Sequence, residues 1–245
     1  MTERVTFLTE GGNVLPALTE DQMREVDRIA MEDFGLGVLQ MMENAGRNLA
    51  LHAIENVDDP NAEIVILAGS GGNGGGGISC ARHLRNRGYL VRLLLTKDPS
   101  ELRGSAAAQF HIVEQAGLRA TPASEAEECI QQATLVIDAL IGYSLNGAPR
   151  GITKNLIETV NEFSDRTLSL DIPSGFDSTS GETPGVSIKP HHTLTLALPK
   201  TGLRKVSGEL YVADIGIPPE VYAPLGIALE PFFGAAYWVR ITIAE

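Results

Sequence analysis

Seven of the nine residues in Gly69-Ser-Gly-Gly-Asn-Gly-Gly-Gly-Gly77 are glycine. The run leaves Ile64-Val-Ile-Leu67, a short apolar and β-branched segment that reads as a strand buried on both faces. It enters residues 78–87, whose apolar positions recur at helical spacing. Ordering that many glycines costs more backbone entropy than ordering any other residue type, which weighs against a merely floppy turn. A backbone without side chains can approach a ligand closely, and a following helix N-terminus adds partial positive charge. Strand, glycine run and helix therefore suit a phosphate or nucleotide.

The rest of the chain repeats the alternation. Thr19-Glu-Asp-Gln22 has the form of a capping box, and Met23, Val26, Ile29 and Ala30 follow on one helical face. Gly35 and Gly37 interrupt before a second helix over 38–56. Further strands are expected at 90–95, 134–138, 167–171, 192–198 and 210–212. Helices are expected at 103–117, at 124–132 with Ser124 as cap, and at 152–163. This spacing predicts βαβ units, a mainly parallel sheet and ligands at the carboxyl ends of its strands. The sequence shows no internal repeat and no dividing linker, so it reads as an N-terminal arm over 1–14 and one α/β domain over 15–245. The apolar tail at 231–245 fits either an edge strand or a subunit contact.

Charge and termini narrow the function. Lys and Arg number 19 against 31 Asp and Glu, a net charge of −12, which repels nucleic acid and an anionic membrane face alike. The first residues have neither a secretory pattern nor an Arg-rich transit pattern, and no apolar run is long enough to span a bilayer. The expectation is a soluble cytoplasmic protein. Cys80 and Cys129 cannot make a disulfide scaffold, and zinc needs more ligands than they supply. His191 and His192, adjacent in a strand, point opposite ways and do not share a metal. Met41 and Met42 read as packing, and Glu43 as a cap or a partner in a pair.

Two carboxylates stand at strand ends. Asp138 precedes Ala-Leu-Ile-Gly142, and Asp171 precedes Ile-Pro-Ser-Gly175. Either could simply cap a turn, but together beside a glycine run they suggest a ligand site. Asn73 and Ser174 add neutral oxygens, and carboxylate with neutral oxygen is a hard-cation donor set. Gly69-x-Gly71-x-x-Gly74 also satisfies the dinucleotide fingerprint of dehydrogenases. The acidic residue expected after the second strand is poorly placed there, Asp98 being the nearest.

Several motifs in order resemble the YjeF N-terminal domain, the NAD(P)H-hydrate epimerase family. They are Met41-Met-Glu-Asn-Ala-Gly46, the glycine run, Cys80-Ala-Arg-His-Leu84, Asp138-Ala-Leu-Ile-Gly142, Asp171-Ile-Pro-Ser-Gly175, Pro199-Lys200 and Gly208-Glu-Leu-Tyr-Val-Ala-Asp-Ile-Gly216. The resemblance spans about residues 18–220. It implies a Rossmann-like three-layer αβα sandwich, usually a homodimer, that interconverts the R and S hydrates NADHX and NADPHX at C6 of the reduced nicotinamide. A separate dehydratase would then restore the cofactor. By motif match a potassium ion would be held by Asn73, Asp138 and Ser174. The hydrate would contact Gly72, Asn73, Gly74, Gly75 and Gly76, then Gly142, Tyr143, Ser144, Leu145, Asn146, Gly147 and Ala148, and also Asp171.

Asp171 is the expected acid/base. Lys200 is either its partner or a solvated loop lysine. The family loop usually reads Gly-x-Gly-Asn-Asn-Gly-Gly-Asp-Gly, so Gly72 replaces an Asn and Gly76 an Asp. Three readings stand: an epimerase, a catalytically degenerate nucleotide-binding sensor or interaction module of the same family, and a Rossmann oxidoreductase.

Overall fold

The computed structural model describes residues 5–59 and 61–244. Within it one sheet has the strand order β2-β1-β9-β8-β7-β6-β5-β3-β4. In chain order, β1 is Thr6–Thr9, β2 Val14–Pro16, β3 Glu63–Ala68, β4 Leu90–Leu95 and β5 Leu135–Ala139. They are followed by β6 Thr167–Leu170, β7 His192–Leu196, β8 Glu209–Ala213 and β9 Trp238–Ile243. Strands β3 to β8 pair in parallel, while β9, β1 and β2 complete one side antiparallel. The α-helices are α1 Glu20–Arg28, α2 Val38–Glu55, α3 Gly72–Arg85, α4 Gly104–Gln115, α5 Ala126–Gln132 and α6 Gly151–Phe163.

Side-chain alternation places the layers. In β3, Ile64, Ile66 and Ala68 pack into one core with Ala45 and Leu49 of α2, Ile78 and Leu84 of α3, and Phe110 of α4. Val65 and Leu67 point the other way, against Ile130 of α5 and Leu156 and Ile157 of α6. A strand apolar on both faces therefore has helices on both faces, and the architecture is the expected three-layer αβα sandwich. Chain direction across the sheet reverses between β3, which leads out to β4, and β5 on its other side. Such a switch point leaves a crevice at the carboxyl ends of the two strands.

Local expectations meet mixed outcomes. The Thr19 capping box is complete: Gln22 donates its backbone N–H to Thr19 Oγ1 at 3.3 Å, and Thr19 donates its own to Gln22 Oε1 at 2.9 Å. Helix α5, by contrast, is preceded by a short 3₁₀ turn over Ala123–Glu125, so Ser124 does not cap it. The segment expected as an arm over 1–14 is built into the sheet from Thr6, with Phe7 fully buried, and residues 1–4 lie outside the described residues. Its partner is the apolar tail. Strand β9 lies inside the sheet between β8 and β1, with both of its edges paired, so it is not an edge strand.

The glycine run is mostly helix rather than loop. Helix α3 begins at Gly72, so Gly72 to Gly77 are helical and only Gly69-Ser-Gly71 remains a turn. These glycines admit neighbours where a side chain would collide. A Cβ on Gly74 would lie 1.8 Å from the carbonyl oxygen of Gly69, and one on Gly77 would lie 2.5 Å from Cβ of Ala139. Their main work is to let α3 lie directly on the strand ends and on α2.

Candidate active site

Three chain segments meet at the crevice. The first is the start of α3, where Asn73 donates its side-chain N–H to the carbonyl of Leu170 at 3.2 Å. The second is the turn after β5. There a Cβ on Gly142 would stand 3.3 Å from both Asn73 Cβ and Asp171 Oδ2, so this glycine permits the close approach. The third is Asp171 itself, directly after β6, held at φ +68°. That left-handed conformation is strained for most residues and least so for Asp and Asn. Its N–H donates to Leu194 at 2.8 Å, which anchors the strained residue to β7.

Asp171 and Lys200 are buried at 3% and 1% exposure, and the Lys200 ammonium donates to Asp171 Oδ1. Lys200 also donates to Leu196 O at 2.8 Å and to Thr195 Oγ1 at 3.2 Å, which satisfies all three of its hydrogens. Asp171 accepts further from the N–H of Tyr143 at 3.1 Å and of Leu196 at 3.3 Å. Lys200 is thus a buried partner of Asp171 rather than a solvated loop lysine.

Asp138 lies behind this pair, completely buried. It faces Ser169 in the β5–β6 register and accepts from Ser169 Oγ at 2.8 Å. It also accepts from the N–H of Ser174 at 2.8 Å, the N–H of Leu140 at 3.2 Å and the hydroxyl of Ser174. Burial pushes its carboxyl up, and these donors pull it back. Among the described residues no cation pairs with it. The Asn73 amide oxygen receives no protein donor among them either. A buried carboxylate, a serine hydroxyl and a free amide oxygen fit a hard cation in kind.

The cavity has a volume of about 300 Å³. Met23 and Met31 of the N-terminal helical segment and Val38, Met41 and Met42 of α2 form an apolar wall. Gly71, Gly72, Asn73, Gly142, Tyr143, Ser144, Asp171 and Lys200 form the polar side. Ile141 also borders a neighbouring groove of about 460 Å³, lined by Leu145, Asn146, Gly147 and Ala148. Gly74, Gly75 and Gly76 are buried within α3 instead. A Cβ on Gly76 would meet Leu170 Cδ2 at 2.8 Å, so position 76 faces packing rather than this cavity.

One residue of the wall escaped the sequence reading. Asp27 of α1 lines the cavity and accepts the Tyr143 hydroxyl at 2.6 Å. The available signal was its place on the apolar stripe, four residues after Met23 and beside Val26. Other candidates lie elsewhere. Glu43 sits among Arg82, His83, Ser79 and Gln109, and these donors pull it down to about 2 against the cost of burial. Asp98 caps a short turn through Ser100, as a ribose-binding acid would not. Cys80 is a buried core residue whose thiol burial pushes up.

Fold and site together define a Rossmann-like α/β protein with a ligand cleft at its strand switch point, floored by a buried Asp–Lys pair. The model of the YjeF-related protein N-terminus matches residues 38–202, and the chain belongs to that family. A relative from Dehalogenimonas lykanthroporepellens named NAD(P)H-hydrate epimerase is 44% identical over 244 residues, 98% of each chain. The bifunctional NAD(P)H-hydrate repair enzyme Nnr of Hyperthermus butylicus is 40% identical over 205 residues, 80% of this chain and 37% of that one. The crystal structure of the yeast protein YNL200c superposes with a TM-score of 0.81 at 23% identity, over 91% of this chain and 99% of that chain, which shows a shared fold.

Proposed function

We infer that this chain is an NAD(P)H-hydrate epimerase, interconverting the R and S forms of NADHX and NADPHX. The observation that carries the reading is the Asp171–Lys200 pair, buried at the floor of a cavity with an apolar methionine wall on one side. The relative that matches 98% of the chain at 44% identity bears that name. The apolar wall suits the flat nicotinamide ring, and the polar floor suits a carbon bearing a hydroxyl. Epimerisation at C6 requires the hydroxyl to leave one face and return on the other. The intermediate is an iminium cation, which a nearby carboxylate stabilises. Asp171, fixed by Lys200 and two backbone N–H groups, is placed to accept and return the proton of the attacking water.

Gly142, Tyr143 and Ser144 would border the hydrate in the cavity, and Leu145 to Ala148 would carry the remainder of the dinucleotide along the adjoining groove. Asn73, Asp138 and Ser174 would hold a potassium ion. All four lone-pair positions of Asp138 already receive donors, so the freely rotating Ser174 hydroxyl is the one that would turn away. When bound, the ion supplies positive charge that offsets Asp138 and steadies the strand ends. A homodimer and a separate dehydratase complete the proposal; the bifunctional name of the Hyperthermus butylicus relative supports the dehydratase. The binding-only reading rested on the missing Asp at 76, and that position does not face the cavity.

The test supplies pure R hydrate and an S-specific dehydratase in potassium buffer and follows NADH absorbance. Recovery well above the spontaneous rate, proportional to added protein, is expected. Binding of the hydrate without acceleration would overturn the reading.

A further inference from the structure

Asp27 lines the cavity, and the reaction described so far gives it no task. Its Oδ2 accepts the Tyr143 hydroxyl at 2.6 Å. Its Oδ1 has no protein donor among the described residues and is open to the cavity. The groups that act on it are few. Burial pushes its carboxyl up; the Tyr143 hydrogen bond and the Lys200 charge oppose this, and Asp171 adds to it. The phenol of Tyr222, on the 3₁₀ segment Pro219–Leu225, feels its charge. Arg24, on its own helix, is paired with Glu20.

The two carboxyl groups of the cavity thus differ in environment. Asp171 has an ammonium in direct contact, while Asp27 has only a phenol. Carboxyl groups held by such different partners are suited to divide acid and base roles. Tyr143 joins them, its N–H on Asp171 and its hydroxyl on Asp27, so one tyrosine length separates them. A reaction that removes a hydroxyl from one face of a ring and restores it on the other needs a group on each side.

We propose that Asp27 is a second catalytic residue, the general acid on the α1 wall, with Tyr143 as the positioning residue between it and Asp171. The proposal rests on the epimerase reading. Asp27 gives its proton to the C6 hydroxyl, and the C6–O bond breaks with its electron pair as water departs. The lone pair of ring N1 forms the C6=N1 iminium bond. A water on the other face adds through its own lone pair to C6, the iminium pair returns to N1, and Asp171 takes the proton. One proton passes from Asp27 to Asp171. The reverse reaction, or exchange with solvent, resets the pair.

The experiment compares wild type, Asp27→Asn and Tyr143→Phe in direct R-to-S conversion across pH. NADPH serves as a non-reacting binding probe and thermal melting as a check on folding. Asp27→Asn should lower kcat by about a hundredfold or more, the usual worth of a general acid. NADPH affinity should stay within about threefold, a split that loss of packing alone would not give. Wild-type kcat/KM should fall as pH rises through the Asp27 pKa, and Asp27→Asn should lose that limb. Tyr143→Phe removes a bond that holds the Asp27 pKa down, so the limb should move to higher pH. In isotopically labelled water each epimerisation should install solvent oxygen at C6.

Folded Asp27→Asn keeping a third or more of kcat overturns the proposal, as does retention of the original oxygen. If Asp27→Asn does not fold, an unmoved limb in Tyr143→Phe overturns it and a shifted limb supports it. Wild type without any conversion would overturn the epimerase reading itself, and the proposal with it.

Discussion

Replacing Lys200 with Met tests how the site is built. Methionine keeps most of the aliphatic stem and removes only the ammonium. Lys200 is 1% exposed, so no water replaces the lost partner. Asp171, itself buried, would retain the N–H groups of Tyr143 and Leu196 but no positive charge, and Leu196 O would lose its 2.8 Å donor. Removing one member of a buried ion pair costs about 3–5 kcal/mol, because the other charge stays behind unpaired. At roughly 2–4 °C per kcal/mol for a chain of this size, melting should fall by roughly 6–20 °C near neutral pH.

Adding Asp171→Asn removes the stranded charge and should recover a large part of the loss. Thermal melts of wild type and the two variants measure this. Lys200→Met melting within about 2 °C of wild type would show that the pair is solvated or absent, and the reasoning would fail.

Other outcomes follow from neighbouring residues. Asp138→Asn turns one acceptor oxygen into a donor facing the hydroxyls and N–H groups that now bond it; about 2–4 kcal/mol should be lost in denaturant titration. Gly76→Asp makes the run more like the family loop, yet it would push a carboxylate against Leu170, Ala45 and Met42; melting should drop rather than activity rise. His52, pulled down to about 4 by burial and by His192, stays neutral when folded and charges when unfolded. Stability should therefore fall by about 3 kcal/mol as pH drops from about 6.5 to about 4, a loss that His52→Gln should lack in pH-dependent melts.

The residues explain which parts of this molecule could be read in advance. Strand β3 announced itself because an apolar run buried on both faces has few other uses, and the Thr19 capping box is a local device whose two hydrogen bonds close within four residues. Asp138 and Asp171 were visible because they end strands in matching places. What stayed hidden depends on distant partners. The glycines from Gly72 to Gly77 look like a loop by propensity, but packing of α3 on β5, β6 and α2 overrides that preference. Strands β1 and β9 pair from opposite ends of the chain, so neither shows its neighbour locally. Lys200 could be named from the sequence as a partner for Asp171, but it sits outside any strand pattern, and only the fold decides between that and a solvated loop lysine. Asp27 was concealed by its type, a charged residue on a helix that otherwise reads as solvated on one face and packed on the other.

The central claim is that Asp171, seated on Lys200, turns one hydrate into the other. The direct measurement follows chromatographically resolved R and S hydrates, with no coupling enzyme, in the presence of wild type or Asp171→Asn. The account predicts that wild type brings pure R to a stable mixture of both forms at a rate set by protein concentration. Asp171→Asn, folded and still binding NADPH, should leave the R form converting at the spontaneous rate. Equal conversion by the two proteins would contradict it.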